Sequence, residues 1–253
     1  MTEEAAAVAW ADHQAVLFDL DGVLTPTAEV HMRAWSEMFN GFLGAYAGDA
    51  TGGDTAPYTD ADYFAHVDGK PRYDGVRDFL AARGIGLPEG TSEDGPDEVT
   101  VRGLGNRKND AFNEVLERDG VTAYSGSVAL LDHLRDLDLP LAVVSSSANA
   151  PAVLAAAGIA DRFDTVVDGT LASEAGLPGK PAPHTFLRAA AVLGVRAEDA
   201  VVLEDAVSGV RAAAAGDFGL VIGVDRGAGD ALRVAGAALV VADLAELVPG
   251  GGR

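Results

Sequence analysis

Apolar residues follow two rhythms along this chain. Residues 14–19 (QAVLFD) form a short apolar run that closes on an acid. An unbroken run of that length predicts a strand buried on both faces. From 28 to 43 the rhythm changes: Val30, Ala34, Trp35, Met38 and Phe42 recur at helical spacing. Helical patterns return at 60–66, 74–83 and 106–118. Two stretches lack either rhythm. Residues 44–60 are rich in Gly, Ala, Thr and Asp and predict a loop. Residues 87–98, acidic and bearing Gly and Pro, predict a second, mobile loop.

After Gly126 strands and helices alternate regularly. Strands are predicted at 140–144, 165–167, 200–203, 220–223 and 238–241, with helices at 150–157, 183–193 and 208–215. Repeated strand–helix units predict an α/β core, a parallel sheet covered on both faces. The core takes residues 1–26 and 122–253, and a mainly helical block, 27–121, is inserted after the first strand. No internal repeat is present.

Composition narrows the class. Of 253 residues, 48% are hydrophobic and 23% charged, a globular balance. With 18 basic against 39 acidic residues the net charge is −21. That field repels nucleic acid and anionic membrane, so neither is an expected partner. No cysteine is present, which excludes disulfides and thiolate metal sites and fits a cytoplasmic protein. The start, MTEEAAAVAWADHQ, lacks a signal-peptide apolar run, and no stretch reaches the roughly 18 apolar residues of a membrane span. Lysine occurs only at 70, 108 and 180, so each lysine inside a motif draws notice.

In parallel sheets ligands bind at the carboxyl ends of the strands. Asp19 and Asp21 stand at the first such end, Ser145 at the second, and Glu204 and Asp205 at the fourth. Lys180 lies in a Gly/Pro loop after the third. A carboxylate at Asp19 can attack phosphorus and carry the phosphoryl group, dividing one hard transfer into two easier ones. Asp21, two residues on, points to the same side of an extended chain and suits general acid–base work. Glu204 and Asp205 are costly at the end of a buried strand unless paired or metal-bound, and with Asp19 they offer oxygen ligands suited to Mg²⁺. Lys180 can balance this charge, and the Ser145 hydroxyl can donate to a phosphoryl oxygen. Plainer roles compete: a turn for D-x-D-G, a helix cap for Asp205 or for Ser147 and Asn149, a solvated loop for Lys180.

The order of the four elements (D-x-D-G, strand-Ser, G-K-P-x-P, strand-E-D) resembles the haloacid dehalogenase superfamily along the whole chain. The resemblance implies a Rossmann-like doubly wound core with an inserted helical cap, a phospho-aspartate at Asp19, and Mg²⁺ held near Asp19, Asp21 (by its backbone carbonyl), Glu204 and Asp205. The string DLDGVLTPTAEVHMRAW at 19–35 is further similar to the β-phosphoglucomutase-like family. That family interconverts β-glucose 1-phosphate and glucose 6-phosphate through a bisphosphate intermediate. By resemblance, Thr27 and His31, four residues apart on one helix face, time the movement of Asp21. Gly69 and Arg72 match a cap loop whose arginine holds the non-reacting phosphate. Arg107, Lys108 and Asn109 match a cap string that reaches the substrate, and Ser147 and Asn149 match distal-phosphate residues.

Three positions depart from the family pattern. Ala148 replaces a lysine at the distal phosphate, Pro26 an Asp, and His184 an acid. Arg107 or Lys70 is the expected substitute cation for the lysine. The expected substrate is a phosphorylated sugar and the expected state a monomer. A Mg²⁺-dependent sugar-phosphate phosphatase using the same residues is the alternative, and Ala148 leans towards it. A phospho-accepting receiver domain is about half this length.

Overall fold

The computed structural model describes residues 8–46, 52–91 and 93–249. The chain divides into two compact units, one formed by the chain up to Pro26 together with the chain from Val121 onward, the other by Thr27–Gly120.

The first unit is built on a parallel sheet of six strands among the described residues: β1 Ala15–Phe18, β2 Leu141–Val144, β3 Thr165–Val167, β4 Ala200–Glu204, β5 Leu220–Val224 and β6 Leu239–Val241. Their order across the sheet is β3-β2-β1-β4-β5-β6. β1, β2 and β4 are buried at every residue, as expected of near-continuous apolar runs with both faces covered. Ala15 and Leu17 of β1 join one core cluster with Ala142, Val144, Ala200 and Val202. Val16 and Phe18 alternate to the opposite face and are equally buried. This is a doubly wound Rossmann-like core.

The helices of this unit, numbered after α1–α4 of the second, are α5 Ser125–Asp136, α6 Ala150–Ala156, α7 Gly169–Glu174, α8 His184–Leu193, α9 Val207–Ala215 and α10 Ala231–Ala235. α8 packs on β1, β2 and β3, and α9 on β4 and β5. Phe186, Ala189, Ala190, Val210, Ala212 and Ala213 supply their buried stripes. Small alanines let the helices lie close to the sheet. In this strand order the winding reverses between β1 and β4, and open α/β sheets bind ligands at that point. The ladder is in register there, Phe18 against Leu203, and the Asp19 amide donates to the Leu203 carbonyl at 2.9 Å.

The second unit is helical: α1 Thr27–Tyr46, α2 Asp60–Asp62 running into a π-turn Tyr63–Val67, α3 Arg72–Ala82 and α4 Val101–Asp119. Trp35, Met38, Phe39 and Phe42 of α1 bury against Val76, Phe79 and Leu80 of α3 and Leu104 of α4. Of the predicted loop at 44–60, α1 takes the first residues, 47–51 lie outside the described residues, and 52–59 are irregular. α4 starts five residues before the predicted 106. Thr100 caps it, its hydroxyl oxygen accepting from the Gly103 amide at 2.9 Å. Residues 87–91 and 93–98 are irregular as predicted but tethered rather than mobile. Glu89 pairs with Arg77 at 2.7 Å, the Asp94 carbonyl accepts from Asn106 at 2.8 Å, and the Pro96 carbonyl accepts from Arg107 at 2.7 Å.

Candidate active site

Three strand ends of the first unit meet at one ammonium group. Lys180 Nζ donates to Asp19 Oδ1 at 2.5 Å, to Glu204 Oε1 at 2.6 Å and to the Val144 carbonyl at 3.0 Å. These acceptors end β1, β4 and β2. Lys180 is 3% exposed and Glu204 0%, so the cluster is shielded from water. The lysine comes from the loop before α8, and its peptide to Pro181 is cis. The Gly/Pro string that reads as a possible solvated loop thus delivers a buried cation.

Both carboxylate oxygens of Glu204 are engaged. Its Oε2 accepts from the Ala206 amide at 2.8 Å, and Gly209 leaves room for the carboxyl, since a Cβ there would lie 1.7 Å from Oε1. The N-cap residue of α9 is Ala206, and Asp205 stands just before it. Asp205 faces the first strand's loop: a Cβ on Gly22 would lie 1.8 Å from its Oδ2. Gly22, at φ +81, is where the backbone turns, and both the dihedral and the space require glycine. Asp21 bridges to Thr25, and the Gly22 amide donates to the Thr25 carbonyl at 2.8 Å, closing a tight loop behind the D-x-D pair.

Charge in this cluster is unbalanced. Carboxylate oxygens of Asp19, Glu204 and Asp205 lie within 4.8 Å of one another. Burial pushes the Asp19 carboxyl well above the usual carboxylate range, against the pull of Lys180, and Glu204 and Asp21 add to the rise. Burial alone would lower Lys180, but Asp19 and Glu204 outweigh it and hold the ammonium above its ordinary range. The carboxylates raise Lys180, whereas Asp19 rises first through burial and then through its acidic neighbours. An all-oxygen donor set short of positive charge fits a hard divalent cation.

Ser145 follows β2, one residue after the carbonyl that Lys180 holds. Its amide donates to the Val167 carbonyl at 3.0 Å, and its hydroxyl oxygen accepts from the Ser147 amide at 3.0 Å. The Ser147 hydroxyl oxygen accepts in turn from the Asn149 amide at 3.1 Å. The serine run is therefore a turn into α6 that leaves the Ser145 O–H free to rotate towards an acceptor.

In the helical unit, His31 of α1 and Lys108 of α4 meet, Nζ against Nδ1. His31 stacks on Phe112, centroids 4.1 Å apart, and Lys108 Nζ lies 5.3 Å over the Trp35 ring and 5.0 Å over the Phe112 ring. Lys108 is only 4% exposed. Thr27 is buried one turn before His31. Arg107 and Asn109 flank Lys108 on α4, and Arg72 opens α3 after Gly69 at φ +67. Lys70 is paired with Asp78 at 2.6 Å, and Arg107 gives its Nε to Pro96, so both candidate substitutes for the lysine missing at 148 are partly engaged.

A family model described as haloacid dehalogenase-like hydrolase matches residues 13–217. The chain is 48% identical over 241 residues to a Mycobacterium bovis protein named β-phosphoglucomutase, covering 93% of this chain and 91% of the relative. The chain belongs to the haloacid dehalogenase-like family, in its β-phosphoglucomutase-like branch. A β-phosphoglucomutase of Bacillus subtilis is 30% identical over 92% of this chain and 91% of its own length. The crystal structure of a β-phosphoglucomutase from Clostridium difficile shares the fold, with a TM-score of 0.73 at 24% identity over 93% of both chains. This chain is an enzyme of that branch, and among its described residues no helix is long and apolar enough to cross a membrane.

One residue of this branch member lies outside the motifs. Arg226, two residues past β5, donates from Nε to the Gly22 carbonyl at 2.7 Å and from Nη1 to the Ala242 carbonyl at 3.0 Å. Its guanidinium lies 4.2 Å over the Tyr124 ring. It braces the loop that carries Asp19 and Asp21. The signal in the sequence is its place at a strand end, the same signal that marks Asp19 and Glu204.

Proposed function

We propose that this enzyme is a β-phosphoglucomutase, interconverting β-D-glucose 1-phosphate and glucose 6-phosphate through an aspartyl-phosphate and glucose 1,6-bisphosphate. The observation that carries the proposal is the Asp19 carboxylate at the switch point of the sheet, bound to Lys180 and within 4.8 Å of Glu204 and Asp205. In this reading an Asp19 oxygen attacks the phosphorus of the bisphosphate. The O–P bond forms as the bond to the sugar oxygen breaks, and Asp21 gives that oxygen its proton. The incoming sugar hydroxyl then attacks phospho-Asp19 while Asp21 takes the hydroxyl's proton, so each cycle returns the enzyme unchanged.

Lys180 and Ser145 steady the phosphoryl oxygens. Mg²⁺, held by Asp19, Glu204, Asp205 and the Asp21 carbonyl, would neutralise charge on the group in transit. Thr27 and His31, the latter held by Lys108 and Phe112, govern when Asp21 is in place. Gly69, Arg72, Arg107, Lys108, Asn109, Ser147 and Asn149 hold the substrate and its non-reacting phosphate. Residues 27–121 act as the cap, the enzyme works as a cytoplasmic monomer, and its partner is the free sugar phosphate.

Incubation with Mg²⁺, β-glucose 1-phosphate and a trace of glucose 1,6-bisphosphate tests this. Glucose 6-phosphate forming far in excess of free phosphate is expected. Free phosphate alone refutes the mutase and leaves the phosphatase that Ala148 favours.

A further inference from the structure

Arg72 is assigned above to the non-reacting phosphate, and what surrounds it goes one step further on that reading. Among the described residues no carboxylate pairs with Arg72. Its Nη2 donates to the Tyr73 hydroxyl at 3.1 Å, its guanidinium lies 4.9 Å over the Tyr73 ring, and its buried Nε has no partner. In a chain of net charge −21 a guanidinium held off the carboxylates keeps its charge for another anion.

Tyr73 is fixed in turn. Its hydroxyl donates to Asn106 Oδ1 at 2.8 Å, and Asn106 Nδ2 donates to the Asp94 backbone carbonyl at 2.8 Å. The directions are forced. A carbonyl only accepts, so the Asn106 amide turns its nitrogen to Asp94 and its oxygen to Tyr73. The tyrosine spends its one proton on that oxygen and presents a lone pair to Arg72. The ring is held as well. Arg102 lies over it at 4.5 Å, and a Cβ on Gly105 would come within 2.7 Å of it, so the ring packs on the α4 backbone. Asp94 is anchored through its side chain, which accepts from the hydroxyls of Thr91 at 2.8 Å and Thr100 at 2.7 Å.

We propose that Tyr73 and Asn106 are positioning residues that aim Arg72 at the non-reacting phosphate of the substrate, with the Asp94 segment as their anchor. The relay explains why the 87–98 segment, rich in acids and lacking regular structure, is held so firmly: its backbone carbonyl sets the direction of the chain of donors.

The test compares Tyr73→Phe, Asn106→Leu and Arg72→Ala with the wild type, by turnover of β-glucose 1-phosphate and by calorimetric binding of glucose 1,6-bisphosphate. Tyr73→Phe keeps the ring and loses the hydroxyl. It should raise KM and weaken bisphosphate binding about tenfold while kcat stays within about twofold, the mark of lost uniform binding. Its melting temperature should fall by about 4–8 °C, since two partly buried hydrogen bonds are lost. Arg72→Ala should lose at least as much affinity. If Arg72→Ala weakens binding and neither Tyr73→Phe nor Asn106→Leu does, the relay is refuted and the role of Arg72 stands. If Arg72→Ala leaves binding unchanged, the role of Arg72 falls and the relay with it. A wild type that neither binds nor turns over these sugar phosphates overturns the functional reading itself.

Discussion

Replacing Lys180 by methionine removes the ammonium and keeps most of the side chain's volume. The ammonium has three acceptors, two of them carboxylates, and the side chains of Lys180 and Glu204 are almost wholly enclosed. Two unit charges at the 4.8 Å that bounds the carboxylate cluster repel by about 3.5 kcal/mol at an effective dielectric of about 20. Breaking one side of a buried ion pair costs about 3–5 kcal/mol in general, because a charge is left uncompensated. Both routes lead to the same range. For a chain of this size each kcal/mol moves the melting temperature by about 2–4 °C, so Lys180→Met should melt about 6–20 °C below wild type in a chelator. Adding Mg²⁺ should close at least half of that gap, because a divalent cation among the same oxygens replaces the lost charge. Adding Glu204→Gln to the variant should also recover stability, since it removes one of the carboxylates left unpaired. Differential scanning calorimetry with EDTA or with Mg²⁺ reads all three. A Lys180→Met protein that melts within 2 °C of wild type in EDTA, or whose gap widens with Mg²⁺, would refute the charge argument.

Arg226→Ala should lower kcat/KM about tenfold, the worth of one charge-assisted hydrogen bond to the Gly22 carbonyl, with Arg226→Lys recovering part of it in the same steady-state assay. In the helical unit, burial pushes the Asp62 carboxyl up, but hydrogen bonds from the Thr59 hydroxyl and amide and the Arg83 guanidinium outweigh it and hold it below its ordinary value. A lowered carboxyl stabilises the fold above its unfolded pKa and loses that contribution as pH falls through the folded one. Asp62→Asn should therefore melt below wild type at pH 7, and the gap should shrink below about pH 4.

The sheet was legible because its strands are runs such as Val16-Leu17-Phe18 and Val201-Val202-Leu203, apolar on both faces and ended by acids. The acids were legible because a charge at the end of a buried strand has to be explained, and Lys180 because lysine is scarce in this chain. What the local pattern hides is choice of partner. Nothing local says that Glu204 takes both Lys180 and the Ala206 amide. Gly103 and Gly105 blur the start of α4 because they read as breakers. They are there because Glu98 and Tyr73 approach the helix backbone, leaving no room for a Cβ. The acidic loop reads as mobile because its tethers, Arg77, Asn106 and Arg107, lie on α3 and α4 and leave no periodic trace. Arg226 shows in the sequence only by its place after a strand end, since its acceptors, the Gly22 and Ala242 backbone carbonyls, leave no side-chain pattern.

The central claim is that Asp19 carries the phosphoryl group between sugars. Mixing the enzyme with Mg²⁺ and glucose 1,6-bisphosphate labelled in its phosphates, quenching in acid and mapping the labelled peptide tests it directly. The predicted result is label on Asp19, absent from Asp19→Asn, that chases into hexose phosphate when unlabelled β-glucose 1-phosphate is added. Label on another residue, label that persists in Asp19→Asn, or a chase that yields only free phosphate would contradict it.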